Sequence, residues 1–112
     1  MTVKNMLQVE MAFAIFRIVD LKKEKVEEAF ALLGEVFDEL QVGEIRHGLK
    51  HGLSVEQVAL YSAPEFSWEK MVEIRKGLEH GLSMEQIKTY AKPEFAWRRM
   101  RRIRWELEGV AM

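Results

Sequence analysis

Apolar residues are arranged in two ways along this chain. Met6, Leu7, Val9, Met11, Phe13, Ile15, Phe16, Ile18 and Val19 nearly encircle a helical axis, interrupted by Gln8, Glu10 and Arg17. This predicts a first helix from Val3 to about Val19, capped by Thr2. A helix apolar on most sides is either central to its own domain or covered by a second chain. We expect a central core helix, with a homodimer seam as the alternative. Further on, Val26, Phe30, Leu33, Phe37 and Leu40 form one stripe at helical spacing. It predicts a second helix from Leu21 to about Leu40, with Asp20 as its cap. No Gly or Pro lies between Ile18 and Lys25, so one long bent helix also fits the pattern.

After Gly43 the pattern is written nearly twice. EIRHGLKHGLSVEQVALYSAPEFSWEKMV (Glu44 to Val72) is followed by EIRKGLEHGLSMEQIKTYAKPEFAWRRMR (Glu73 to Arg101), a step of 29 residues, and a third copy begins as RIRWELEG. Phe37, Phe66 and Phe95 are also 29 apart, as are Val42, Met71 and Met100, so the end of the second helix reads as a degraded first copy. Self-similarity at such a step marks stacked supersecondary units. Each unit reads as a helical hairpin. Pro64 and Pro93 fall in the first turn of a long helix. Phe66, Met71, Ile74 and Leu78 form its inward stripe. Gly52 and Gly81 terminate the long helices in the left-handed conformation. Ser54 with Gln57, and Ser83 with Gln86, make capping boxes for short helices that bury Val58 and Tyr61, or Ile87 and Tyr90. Gly48 and Gly77 sit inside long helices at a cost of about 1 kcal/mol relative to Ala, which implies close approach of a neighbouring helix. The expected fold is all-α, with about six helices in one domain. Residues 1–40 form an N-terminal helical cap and residues 41–112 a short stack of helix-turn-helix hairpin repeats.

The recurring string G-L-x-x-G-L-S-x-E-Q-x-x-x-Y-x-x-P-E-F-x-W-x-x-M-x-x-I-R resembles an uncharacterised tandem helical-hairpin repeat family of mobile-element-associated proteins from Gram-positive bacteria. The resemblance runs from about Phe37 to Glu108. It implies an accessory, non-enzymatic role, in its sharpest form a phage- or plasmid-encoded, anti-CRISPR-like inhibitor that occupies the surface of a host defence nuclease.

Composition narrows the classes. Net charge is −1, so no global field draws nucleic acid or an anionic membrane. The absence of cysteine excludes disulfides and thiolate metal sites, which suits a reducing compartment. The run from Met6 to Val19 is too short to span a bilayer, and Glu10 does not belong in the apolar region of a signal peptide. A cytoplasmic location is therefore expected.

Few residues suggest chemistry. Ser54 and Ser83 are caps, Glu56 and Glu85 complement helix N-termini, and no phosphate-cradling glycine loop occurs. No enzyme and no cofactor are expected. His47 and His51 have the spacing that places two imidazoles on one metal ion. No third ligand is evident, and His47 is replaced by Lys76 in the next copy, so no metal site is expected. Glu44 and Glu73 should pair with basic neighbours.

The departure from the repeat is WRRMRRIRWE, Trp97 to Glu106. Met100, Ile103 and Leu107 share one helical face. Arg98, Arg101, Arg102 and Trp105 share the opposite one, with Trp97 at its head. The basic charge is local: residues 1–43 hold five basic and eight acidic residues, whereas 73–101 hold seven and four. Three readings of this face compete. It can be a solvated end-cap in which Arg101 stacks on Trp105. It can be a protein-binding hot spot, since Arg and Trp are enriched there. It can bind nucleic acid, with arginines on phosphates and Trp105 on a base. Against the last, Ser54 to Trp68 has the same helix-turn-helix form with an acidic second helix. The site expected is therefore Trp97, Arg98, Arg101, Arg102 and Trp105, its partner a host protein, with a small helix-turn-helix-like DNA- or RNA-binding protein as the alternative.

Overall fold

A computed structural model describes residues 2–18 and 25–110. It is all-helical. The elements among the described residues are α1 (Val3–Ile18), α2 (Lys25–Gly34), α3 (Glu39–Lys50), α4 (Val55–Ala59), α5 (Trp68–Glu79), α6 (Met84–Lys88) and α7 (Trp97–Glu108). The longer helices pack in sequence, α1 on α2, α2 on α3, α3 on α5 and α5 on α7. The short α4 and α6 pack back on α3 and α5, and α4 also reaches α1. No helix among the described residues is long and apolar enough to cross a membrane.

The first helix is not a central one. The Thr2 hydroxyl accepts the Asn5 amide at 3.1 Å, which caps α1 as expected. Only one stripe is buried, Val9, Ala12, Phe13 and Phe16. Val3, Met6, Leu7 and Met11 point outward and are each more than half exposed. With α2 and α4 covering one side, the rest of its apolar surface has no neighbour within the described chain.

The second helix is shorter than its stripe suggests. It ends at Gly34, and Asp38 starts a new helix. The Asp38 carboxylate accepts the Gln41 amide at 2.8 Å, and the Gln41 side chain returns to the Asp38 amide at 2.9 Å. This reciprocal cap satisfies two otherwise orphaned donors and out-competes continuation of α2. Phe37 is buried in the turn between the helices. Leu40, displaced from the α2 register, is 60% exposed. The proposed Asp20 cap, and whether α1 continues into α2, lie outside the described residues.

Pro64 and Pro93 also fall outside the long helices. They sit in a preceding turn closed by Phe66 N–H to Ala63 O and by Phe95 N–H to Lys92 O, both at 3.0 Å. Ser67 then caps α5 through the Lys70 amide. The preceding repeat clamps this turn: Gln41 Nε2 donates to Phe66 O at 2.8 Å, and Lys70 Nζ donates to Pro93 O at 2.6 Å. Gln41 and Lys70 are one repeat apart. Their next counterpart, Arg99, lies over Phe95 at 3.9 Å.

Gly48 in α3 and Gly77 in α5 admit a hydroxyl rather than a helix. Tyr61 and Tyr90 are fully buried, and each phenol donates to a main-chain carbonyl, Glu44 O at 2.7 Å and Glu73 O at 2.8 Å. A Cβ on Gly48 or Gly77 would lie within 2.2 or 2.3 Å of that oxygen. Gly52 and Gly81 close α3 and α5 at φ of 92° and 93°, and both serine capping boxes form.

Burial raises both phenols above their ordinary range, chiefly by desolvation of the phenolate. The folded chain therefore keeps protons that the unfolded chain releases. Stability contributed by these groups is complete below about pH 10 and is lost as pH rises beyond it, by up to about 1.4 kcal/mol per pH unit for each tyrosine. Urea titrations between pH 9 and 11 should show the midpoint falling, with a shallower fall in Tyr61→Phe and Tyr90→Phe than in wild type. Equal slopes in all three proteins would mean that the phenols do not govern alkaline unfolding.

Candidate partner-binding face

Helix α7 begins without a side-chain cap, at Ala96, and ends at Gly109 with φ of 76°. Its residues at successive turns, Trp97, Arg101 and Trp105, form a ladder along one face. The Arg101 guanidinium carbon lies 4.8 Å from the Trp97 ring centroid and 5.7 Å from that of Trp105. Arg98 also approaches Trp97, at 4.7 Å from its ring centroid. A flat guanidinium stacks on indole with little loss of hydration, so the ladder holds both rings in place.

Arg101 is anchored from beneath. Its Nε donates to Glu73 Oε1 at 2.8 Å, and Glu73 is fully buried. Arg101 was expected to point outward with Arg98, Arg102 and Trp105. It is instead half-buried, because α5 presents a carboxylate to α7 at that height. Arg98 and Arg102 are exposed and make no ion pair among the described residues. The structure thus brings Trp97, Arg98, Arg101 and Trp105 together, and leaves Arg102 beside them without an ion pair or a cation–π contact among the described residues.

Two residues that carry the site's architecture are absent from the sequence-based set. The first is Trp68, Trp97's counterpart one repeat earlier and 41% exposed. Trp68, Glu69, Val72, Trp97 and Arg101 line an open cleft of about 300 Å³ between the first turns of α5 and α7. Recurrence of Trp at a helix start was the available signal. The second is Arg104, 4% exposed and on the buried side of α7 with Met100. It donates to both Glu108 oxygens at 3.0 Å and approaches Glu73 Oε1 at 3.6 Å. Arg75 does the same one layer earlier, meeting Glu44 at 2.7 Å and Glu79 at 2.9 Å. Burial pulls the Arg75 pKa down, but the hydrogen bonds it donates to Glu44 and Glu79 outweigh it, so its net shift is upward. Both Glu44 and Glu73 thus pair with arginines of the following helix.

A third grouping lies at the other end of α5. His47 and His51, for which the sequence offered no third ligand, meet Glu79. The packing of α3 on α5 brings that carboxylate across from the next repeat. No protein-family model matches the chain, and no curated protein or solved structure matches it either.

Proposed function

We propose that this chain is a non-catalytic protein-binding module whose contact face is the Trp68–Trp97 cleft with the Arg101 ladder and the flanking Arg98 and Arg102. The observation that carries the reading is the pair of tryptophans, from consecutive repeats, held open on a cleft by a guanidinium that is itself anchored to a buried carboxylate. Pre-oriented aromatic and arginine side chains around an apolar depression are the usual composition of interface hot spots. The exposed arginines favour a partner with an apolar or aromatic anchor and an acidic rim. The narrower reading, an inhibitor encoded by a mobile element and seated on a host defence nuclease, rests on the resemblance of the repeat. Nucleic acid is the weaker reading, because α7 carries an exposed Glu106 along with its arginines and exposed Glu94 lies in the turn that precedes it.

The test is affinity capture from lysate of the source organism, followed by titration of the purified partner against wild type, Trp97→Ala and Trp68→Ala. Each tryptophan variant should weaken binding at least 30-fold, since hot-spot truncations cost about 2 kcal/mol or more. Equal affinity across the three would place the contact elsewhere. A duplex-DNA gel shift that falls steeply with salt, insensitive to Trp68→Ala, would favour the nucleic-acid reading.

A second contact is supported by the outward stripe of α1. Val3, Leu7 and Met11 follow one another by single turns, with Met6 alongside, all exposed. We propose a second copy of the chain as its cover. Light scattering should give a dimer mass for wild type and a monomer mass for Leu7→Lys/Met11→Lys. A monomeric wild type would remove this reading.

A further inference from the structure

The histidine pair of the first full repeat and the last residue of α5 form a constellation that the rest of the molecule does not use. His47 and His51 are one turn apart on α3, with ring centroids 3.8 Å apart. Glu79 Oε1 lies 3.4 Å from His47 Nδ1 and 3.8 Å from His51 Nδ1. One ligand atom from each of the three residues lies within 4.8 Å of the other two. A tetrahedral zinc ion bound at about 2.0–2.1 Å places its ligand atoms roughly 3.3–3.5 Å apart. The His47–Glu79 edge already has that length, and rotation of exposed imidazoles can close the others.

Two details favour an ion over a simple ion pair. His47 Nδ1 is buried as an atom yet has no hydrogen-bond partner, although a carboxylate oxygen is nearby. Glu79 is held from behind by Arg75, whose Nη1 donates to both its oxygens, while Arg75 is itself held by Glu44. Ligating carboxylates are commonly fixed by such outer partners. One guanidinium against two carboxylates leaves the site with net negative charge, which suits a cation. The histidine side chains are 40% and 55% exposed, so an ion has a way in.

The repeat supplies an internal comparison. One copy on, His51 becomes His80, Glu79 becomes Glu108, Arg75 becomes Arg104 and Glu44 becomes Glu73. Only His47 changes, to Lys76. There His80 Nδ1 and Glu108 Oε1 are at the hydrogen-bonding distance of 2.9 Å. The same frame thus appears twice, once with two imidazoles and once with an ammonium that has no lone pair to offer.

We infer that His47, His51 and Glu79 bind one divalent transition-metal ion of the zinc class, tying α3 to α5 and leaving a fourth position to solvent. Imidazole and carboxylate donors without thiolate suit zinc, nickel and copper. The site lies at the opposite end of α5 from the tryptophan cleft, about 16 Å away by helical rise, and is independent of the binding reading above.

The experiment titrates zinc chloride into tag-free, chelator-stripped protein by calorimetry, with thermal melts of the same samples. Wild type should take up one equivalent and melt higher with zinc. His47→Lys, which copies the second repeat, should take up none while keeping the metal-free melting temperature; His47→Gln serves if the lysine variant misfolds. Lys76→His should take up two equivalents. No uptake by wild type at zinc concentrations up to about 100 μM would overturn the inference. So would uptake unchanged in both His47 variants, or a Lys76→His variant that still takes up only one.

Discussion

Arg104→Met should destabilise the fold by about 3–5 kcal/mol, the range for breaking a buried pair from one side. Arg104 is 5% exposed at its side chain, and it faces two carboxylates that are nearly as enclosed, Glu73 at 1% and Glu108 at 10%. Removal leaves Glu108 with His80 alone and Glu73 with Arg101 alone. Glu73 is already short of partners, since its Oε2 is buried without a hydrogen bond. The remaining contacts place the loss near the lower end of the range. For a chain of this size that corresponds to a fall in melting temperature of roughly 12 °C. Adding Glu73→Gln and Glu108→Gln should recover much of the loss, because the penalty lies in the uncompensated charges more than in the missing attraction. Urea unfolding of the single and triple variants checks both statements. A single variant within 1 kcal/mol of wild type would mean that the carboxylates are solvated after all. Arg101→Ala should cost about 1.5–3 kcal/mol, the range for a hydrogen bond to a charged group, because its Nε donates to the buried Glu73 carboxylate.

The contrast between these two arginines shows what was legible in the chain. Position in the repeat identified the short helices with their serine capping boxes and the glycines that close α3 and α5, because those depend on residues a few places apart; it placed the starts of the long helices at Pro64 and Pro93, a few residues too early. The stripe from Val26 to Leu40 misled, because a period alone does not reveal a break. Asp38 and Gln41 form a capping box there, and their counterparts Ser67 and Lys70 already stood at a helix start. Outward and inward arginines of α7 could not be sorted by an idealised wheel alone. Arg46, Arg75 and Arg104 recur in step, which is the mark of a structural role, whereas Arg98, Arg101 and Arg102 have Glu69, Val72 and Glu73 before them. Glu79 was hidden for a different reason. It reaches the histidines only by packing of one repeat on the next, and nothing local to it signals that contact.

Gly77→Ala should be destabilising by about 2 kcal/mol, although the same exchange in an open helix is favourable by about 1 kcal/mol. An added Cβ would stand 2.3 Å from the Tyr90 hydroxyl and 2.8 Å from Ile87 Cδ1. The phenol cannot retreat, because Tyr90 is fully enclosed and bonded to Glu73 O. Relief requires shifting α6 from α5, at an overpacking cost of about 1–3 kcal/mol, and lengthening that hydrogen bond, whose loss strands a buried acceptor at about 1–3 kcal/mol. Tyr90→Phe removes the first atom met, so the double variant should lose less than the sum of the two single ones, by about 1 kcal/mol in a double-mutant cycle. Additive losses would show that the hydroxyl is not what Gly77 accommodates. Gly43→Ala is the matched control. Nothing lies within 4 Å of its added Cβ, and its counterparts Val72 and Arg101 carry side chains without harm. That variant should be more stable by about 0.5–1 kcal/mol. Glycine is thus required at the repeat position that a following tyrosine fills.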